Sequence, residues 1–133
     1  MRITRILLAE DDHDDQFLFT GFLADRPDIT IMPIAENGLD LFTILEKVQQ
    51  EEQLPHLILL DQNMPKRNGL QTLQLLKKTH PYSSIPVFVY STYMDEKLEA
   101  ECIGNGACKV FTKPIDKNGY HRLVDVLLKY LEY

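Results

Sequence analysis

The sequence contains little cysteine, and its two cysteines suggest neither a disulfide framework nor a zinc site. Cys102 and Cys108 are the only cysteines in 133 residues, and neither lies near a pair of histidines. No apolar run approaches the roughly 20 residues that a membrane-spanning helix needs, and the first predicted strand begins almost at Met1, which leaves no room for a signal peptide. We therefore expect a cytoplasmic protein without a membrane partner, whose cysteines pack as small apolar side chains.

Basic residues are also few compared with acidic ones. Fourteen lysines and arginines stand against twenty aspartates and glutamates, which gives a net charge of −6, and the close basic neighbours form only pairs. Binding to a nucleic-acid backbone needs clustered positive charge, so we expect no nucleic-acid partner. The glycine patterns of nucleotide-binding loops are absent as well.

The sequence does contain a regular alternation of apolar strands and amphipathic helices. We predict strands at 3–9, 29–35, 56–60, 87–90 and 109–112, and helices near 13–25, 38–52, 69–79, 94–104 and 117–132. The predicted N-caps are Asp12, Asn37, Asn68, Thr92 and Asp116. The strands are rich in Val, Ile and Leu without alternation, which indicates a parallel sheet covered on both faces. We predict one domain over residues 1–133, with a doubly wound α/β, flavodoxin-like fold and strand order 2-1-3-4-5.

In an open sheet of this kind, ligands bind beyond the carboxyl ends of the strands. The polar residues there are Glu10 and Asp11 after the first strand, Asp61 after the third, Ser91 after the fourth and Lys113 after the fifth. Three carboxylates brought together repel one another unless a cation compensates them. Oxygen ligands at a partly open site favour Mg²⁺. Since Lys113 adds a second positive charge and Ser91 a hydroxyl, the arrangement suits a phosphoryl group.

Asp61 is the most central of these carboxylates and is the best candidate for a nucleophile that forms an acyl phosphate. The acidic run continues after Asp11, but we interpret Asp12, Asp14 and Asp15 as a solvated helix start that favours the helix dipole. The four histidines are scattered along the chain, so we propose no histidine phosphodonor within it.

Four segments of the chain resemble the receiver domain of bacterial two-component response regulators. They are "ILLAEDD", "LILLDQNMPKRNG", "IPVFVYST" and "VFTKP", in the order of that family, with Pro65 four residues after Asp61 and Pro114 directly after Lys113. The resemblance extends over the whole chain. It implies a CheY-like, single-domain response regulator that has no effector domain and signals through an unknown downstream protein target.

The resemblance also implies a role for each residue of the predicted site. Asp61 would accept a phosphoryl group from a histidine kinase or a histidine phosphotransfer protein, so the chain would be a signalling protein and not a turnover enzyme. The implied Mg²⁺ ligands are Asp11, Asp61 and the backbone carbonyl of Asn63, with Glu10 acting directly or through water. Ser91 would be the switch hydroxyl and Lys113 the lysine of the site.

One position departs from the family pattern, and two alternatives remain. Val110 stands where the family usually carries the Tyr or Phe whose ring turns inward on phosphorylation. The chain could instead be an interaction module that keeps the fold without phosphorylation. It could also be a phosphatase with an aspartyl-phosphate intermediate, although Asn63 occupies the place of the general acid in such enzymes. The resemblance further predicts a cis Lys113–Pro114 bond that aims the lysine at the site.

The final helix predicts a partner surface. Tyr120, Leu123, Val124, Leu127, Leu128 and Leu131 form a stripe that should pack on the sheet. A second stripe of Val126, Tyr130 and Tyr133 lies beside it. Together the two stripes are wider than the apolar face that a surface helix needs to bury. We expect a homodimer or a partner contact through the face of the fourth helix, fifth strand and fifth helix. The alternative is that the two tyrosines belong to a frayed terminus.

Overall fold

The computed structural model describes residues 2–131, in which five strands and five α-helices alternate. Their bounds are β1 (Thr4–Ala9), α1 (His13–Phe22), β2 (Ile29–Ile31), α2 (Gly38–Gln50), β3 (Leu57–Asp61), α3 (Gly69–Lys77), β4 (Val87–Ser91), α4 (Glu96–Gly104), β5 (Lys109–Thr112) and α5 (Lys117–Lys129). A short 3-10 turn at Tyr82–Ser84 was not predicted. The strands form one parallel sheet in the order β2-β1-β3-β4-β5, which confirms the predicted fold class.

Two apolar layers cover the sheet, one on each face. Helices α2, α3 and α4 pack on the face that includes Leu7, Ile58 and Val89, and Cys102 lies in this layer as expected. Helices α1 and α5 pack on the opposite face around Phe88. Burial of these apolar side chains on both faces of β1, β3 and β4 supplies the main driving force for the fold. No helix within residues 2–131 has the length and apolar character to cross a lipid bilayer.

The register of the three central strands brings their carboxyl ends to one edge. Ala9 pairs with Leu60, and Asp61 pairs with Tyr90 on the next strand. The ladder between β4 and β5 reaches its last pair at Ser91, whose carbonyl then accepts a hydrogen bond from the Lys113 amide at 2.8 Å. The predicted polar residues therefore meet beyond neighbouring strands.

The turn between β3 and α3 requires a glycine. The amide of Gly69 donates to the carbonyl of Gln62 at 3.1 Å, which draws the start of α3 back against the end of β3. A Cβ atom at position 69 would lie only 2.8 Å from the carbonyl oxygen of Asp61. Glycine is needed here for this close approach, and it fixes how α3 begins beside Asp61.

Strand β2 is shorter than predicted. It ends at Ile31, whereas the apolar pattern extended it to residue 35. Pro33 has no amide hydrogen to donate to the ladder, so regular pairing stops before it. A single bridge between Ala9 and Ala35 resumes the pairing afterwards.

Helix α4 begins later than predicted. Its N-cap is Asp95, whose side chain accepts a hydrogen bond from the Leu98 amide at 2.8 Å, so the predicted cap at Thr92 is wrong. Asp95 is also a favoured type of cap residue, and it directly precedes the first helical residue, Glu96. The other four N-caps are confirmed, namely Asp12, Asn37, Asn68 and Asp116.

The predicted inner stripe of α5 packs on the sheet. Four of its residues are buried and two are half-buried, namely Tyr120, Leu123, Val124, Leu127, Leu128 and Leu131. In the second stripe Val126 is half-buried, and the Tyr130 ring lies edge-on against Phe88 with centroids 5.3 Å apart. Tyr133 lies outside the described residues. Within the described residues, less of this second stripe is therefore exposed than its position around the helix predicted.

Candidate functional site

Three predicted acids converge at the carboxyl edge of the sheet. Glu10, Asp11 and Asp61 each offer a carboxylate oxygen, and these oxygens lie within 4.8 Å of one another. Glu10 and Asp61 are buried, whereas Asp11 is half-buried and leaves the group open on one side. Three carboxylates that are this close together and largely shielded from water cannot all ionise without added positive charge.

Lys113 supplies part of that charge from the end of β5. Its Nζ lies 2.7 Å from Asp15 Oδ2, 3.0 Å from Glu10 Oε1 and 3.4 Å from Asp61 Oδ2. Burial alone would lower the pKa of Lys113, but the hydrogen bonds to Asp15 and Glu10 raise it above its usual value, so the ammonium stays charged. One ammonium is thus shared among three carboxylates.

The excess of negative charge at this edge changes the pKa of Asp61. Burial, followed by the hydrogen bond and the charge of Glu10, raises the pKa of Asp61 to about 8, although Lys113 opposes the shift. Without a further cation the Asp61 carboxyl therefore favours a proton near neutral pH. A group of carboxylate oxygens that is buried on one side, open on the other and short of positive charge is the donor set that a hard divalent cation such as Mg²⁺ prefers.

Glu10 is held in place by donors on both of its carboxylate oxygens. The Tyr90 hydroxyl donates to Oε1 at 2.6 Å, and the Asp12 amide donates to Oε2 at 3.2 Å. The backbone carbonyl of Glu10 also accepts a hydrogen bond from Gln16 Nε2 at 2.6 Å. Burial and the neighbouring Glu10 raise the pKa of Tyr90 well above its usual value, so the phenol remains protonated and keeps donating.

Two loops meet above Asp61. The Asn63 amide donates to Asp61 Oδ1 at 3.2 Å, and Asn63 Nδ2 lies 3.4 Å from the Oγ atom of Ser91. The same Oγ accepts a hydrogen bond from the Tyr93 amide at 3.3 Å, while the Tyr93 ring points into solvent. Backbone and hydroxyl groups of this kind can stabilise an anionic oxygen beside Asp61.

The interpretation of Asp15 as part of a solvated helix start was wrong. Asp15 lies in the first turn of α1, and its Oδ2 accepts a hydrogen bond from Lys113 Nζ at 2.7 Å. The two residues are 98 positions apart, so no local spacing in the sequence indicated this contact. Asp12 does cap α1 as predicted, because its Oδ1 accepts the Asp15 amide at 2.9 Å.

The structure also describes two positions at which the chain was compared with the family pattern, the Lys113–Pro114 bond and Val110. Within residues 2–131 the one cis peptide bond is His80–Pro81, so the predicted cis Lys113–Pro114 bond is wrong. The long Lys113 side chain reaches the acids with a trans bond after it. Val110 is buried in the apolar layer beneath α4, and no aromatic ring occupies that position.

Comparison with known proteins gives one family. Residues 6–125 match the family model of the response regulator receiver domain. The probable C4-dicarboxylate response regulator of Bacillus subtilis is 30% identical over 129 residues, which cover 97% of this chain and 53% of that protein. A protein-glutamate methylesterase/protein-glutamine glutaminase of Treponema denticola is 33% identical over 86% of this chain and 29% of its own length. The chain thus spans about half, or less, of the length of these relatives.

A solved structure with a bound metal is similar over almost the whole chain. The Mn²⁺-bound form of the response regulator Rcp1 superposes with a TM-score of 0.79 and 27% identity, covering 97% of this chain and 95% of that one. The two chains therefore share their overall fold.

Proposed function

Because this chain belongs to the response regulator receiver domain family, we propose that Asp61 accepts a phosphoryl group from a histidine kinase or a histidine phosphotransfer protein. The observation that carries the proposal is the position of Asp61, a buried carboxylate that lies against Glu10, Asp11 and Lys113 at the open edge of the sheet. Asp61 is a phosphate acceptor in a signalling protein, and the chain performs no turnover on a small substrate.

The proposed reaction transfers the group between two side chains. An Asp61 oxygen forms a bond to phosphorus while the bond between phosphorus and the donor's imidazole nitrogen breaks, and the imidazole leaves with the electron pair. The product is an acyl phosphate on Asp61. We infer that the Lys113 ammonium and the Ser91 hydroxyl stabilise its oxygens. Lys113 Nζ lies 3.4 Å from Asp61, and Ser91 ends the adjacent strand, which supports these roles.

Mg²⁺ is the proposed cofactor. The residues that would hold it are Asp11, Asp61 and the Asn63 backbone carbonyl, with Glu10 acting directly or through water. When bound, Mg²⁺ would supply the positive charge that keeps Asp61 ionised and that neutralises phosphoryl oxygens. The raised pKa of Asp61 supports this requirement, because a protonated carboxyl is a poor nucleophile.

Labelling with acetyl phosphate tests the proposal. The wild-type chain should gain one acid-stable, base-labile phosphoryl group in the presence of Mg²⁺ and none in EDTA, measured by intact mass. Asp61→Asn should abolish the labelling, and Asp11→Ala should reduce it at least a hundredfold through loss of the cation. An interaction module without phosphorylation would take no label at all.

A control variant makes the test specific to the site. Asp14 is an exposed acid of the same segment, and Asp14→Ala should leave the labelling rate within twofold of wild type. Labelling of Asp61→Asn at the wild-type rate would refute the assignment of the acceptor. Continuous release of phosphate from a small phosphoester would instead favour a phosphatase.

We further propose that the output is a contact with protein, in the cytoplasm, and not with nucleic acid. The net charge of −6 disfavours a nucleic-acid partner, and the two cysteines are unpaired, as in a reducing compartment. The proposed contact face consists of α4, β5 and α5. It includes the free edge of β5 and two partly exposed apolar side chains, Ile103 and Tyr130.

Substitution on this face tests the contact. Val126→Glu combined with Tyr130→Glu should weaken homodimerisation or partner binding at least tenfold, measured by light scattering or pull-down, while labelling of Asp61 is unchanged. Leu39→Glu is the matched control, because Leu39 and Tyr130 are both 46% exposed and Leu39 lies on α2. Association that is equal in both variants would locate the contact elsewhere.

A further inference from the structure

Tyr90 is a buried titratable residue that the proposed phosphoryl transfer does not use. It precedes Ser91 on β4 and pairs with Asp61 in the strand register. Its side chain is fully buried, and its hydroxyl donates to Glu10 Oε1 at 2.6 Å, which is shorter than most hydrogen bonds between neutral groups. The phenol thus lies directly beneath the carboxylates at the open edge.

The ring of Tyr90 also contacts the lysine of the site. Lys113 Nζ lies 5.2 Å from the centroid of the Tyr90 ring and 3.0 Å from the same Glu10 oxygen that accepts the hydroxyl. An ammonium at this distance is attracted by an aromatic face, and the attraction is stronger where water is excluded. One side chain therefore restrains both an acid and the cation of the site.

The Tyr90 hydroxyl makes the shortest of the described contacts between a side-chain donor and a Glu10 carboxylate oxygen, at 2.6 Å compared with 3.0 Å for Lys113. A fully buried carboxylate needs donors for its oxygens. The Asp12 amide satisfies Oε2, but at Oε1 the ammonium of Lys113 is divided among Glu10, Asp15 and Asp61. The Tyr90 hydroxyl gives Oε1 a neutral donor that is not divided among the acids in this way.

We propose that Tyr90 is a positioning residue for the divalent cation, which it serves by fixing the orientation of Glu10 and restraining Lys113. This inference rests on the proposed function of the site. It assigns Tyr90 no contact with the cation or the phosphoryl group. A second residue that orients a ligating carboxylate typically contributes 10- to 100-fold to metal affinity.

A single hydroxyl distinguishes this role from plain packing. Tyr90→Phe keeps the ring against Lys113 and removes the hydrogen bond to Glu10. Tyr82→Phe is the matched control, because Tyr82 is also buried and its hydroxyl donates to Gln49 Oε1 at 2.9 Å, away from the acids. If Tyr90 only fills space, both variants lose stability to a similar extent and both keep the wild-type affinity for Mg²⁺.

The experiment measures the dissociation constant for Mg²⁺ by calorimetry at 10 °C, with thermal unfolding in EDTA to show that each variant is folded. We expect Tyr90→Phe to weaken Mg²⁺ binding about tenfold and Tyr82→Phe to leave it within twofold of wild type. Labelling by acetyl phosphate should then need about tenfold more Mg²⁺ in Tyr90→Phe and reach a near wild-type rate at saturation. An unchanged dissociation constant in Tyr90→Phe would overturn the inference.

A double substitution tests the route through Glu10. In the Glu10→Gln background, Tyr90→Phe should cause no further loss of Mg²⁺ affinity, because the orientation it supports is already absent. A second, independent tenfold loss would overturn the inference. Mg²⁺ binding by a wild-type chain that takes no label would refute the proposed function alone, whereas a labelled wild type with an insensitive Tyr90→Phe would refute only the role of Tyr90.

Discussion

Asp61, the last residue of β3, and Asp28, directly before β2, both lie beside a cation, but their surroundings shift their carboxyl pKa values in opposite directions. Arg26 holds Asp28 with two hydrogen bonds, at 2.8 and 3.0 Å, and these bonds lower the pKa of Asp28. Burial and Glu10 instead raise the pKa of Asp61, whose nearest ammonium is 3.4 Å away and shared.

The two surroundings differ in the number of acids per cation and in their exposure to water. The Arg26 cluster consists of Arg26, Asp28 and Asp125. The Arg26 side chain is 13% exposed and the Asp28 side chain is 32% exposed. Water reaches both carboxylates of that cluster. In the acidic site, which consists of Glu10, Asp11, Asp15 and Asp61 with Lys113, the Asp61 side chain is only 1% exposed. Four acids there face one cation.

This difference separates a stabilising cluster from a candidate functional site. The Arg26 cluster joins the turn before β2 to α5, and its guanidinium contacts both of its carboxylates, which water also reaches. The acidic site has less positive charge from the protein than its carboxylates need, and a bound cation such as the proposed Mg²⁺ would balance it. Strongly perturbed carboxyl groups in a cleft are typical of sites where proteins give up stability for function.

The largest effect we expect is the stabilisation of the wild type by Mg²⁺. At a hundredfold excess over its dissociation constant, a ligand that binds only the folded state adds about 2.7 kcal/mol to the free energy of unfolding. Urea unfolding with and without Mg²⁺ measures this gain. Asp11→Ala should lose most of it, whereas Arg26→Ala should keep it in full. An equal loss in both variants would remove the distinction between the two clusters.

The second effect is a pH-dependent gain in stability when Asp61 is neutralised. The folded pKa of about 8 lies above the unfolded value of about 3.9, so the folded state binds a proton that the unfolded chain releases. Stability in EDTA should therefore fall as pH rises from about 4 to about 8. Asp61→Asn lacks this loss, and we expect it to exceed wild type by about 2 kcal/mol at pH 8 and by far less at pH 5.

Urea unfolding in EDTA at the two pH values measures the difference between wild type and Asp61→Asn. The control is Asp14→Asn, which removes an exposed acid and should give no pH-dependent gain. A difference that is the same at pH 5 and pH 8 would contradict the raised pKa of Asp61.

A comparison of the two clusters also shows which features of the molecule could be predicted from the sequence. The apolar runs identified the strands, and parallel pairing then brought Glu10, Asp61 and Lys113 to one edge without any knowledge of side-chain contacts. Asp15 and Tyr90 were missed because their roles depend on which face of a helix or strand they occupy beside Lys113 and Glu10. The Arg26 cluster was missed for a similar reason, since Arg26 and Asp125 are 99 residues apart in the chain.

Loss of Arg26 should have the third largest effect. Arg26→Ala removes hydrogen bonds to Asp28, Asp125 and the His121 carbonyl, and we expect a loss of about 1.5 kcal/mol in the free energy of unfolding at pH 7. Arg26→Lys keeps the charge but loses the paired geometry, so it should recover only part of the loss. A lysine variant as stable as wild type would show that charge alone is enough.

The smallest effect concerns Asp28 and reverses the sign found at Asp61. Because Arg26 lowers the folded pKa of Asp28 below the unfolded value of about 3.9, the ionised carboxylate contributes stability that is complete above about 3.9 and is lost as pH falls from there through the lowered folded pKa. Asp28→Asn should cost about 0.5 kcal/mol at pH 7 by urea unfolding, since the pair is partly hydrated, and less near pH 3. Neutralising an aspartate would then stabilise the protein at the acidic site and destabilise it at the Arg26 cluster. If Asp28→Asn were stabilising at pH 7, Asp28 would be as poorly compensated as Asp61, and the comparison would fail.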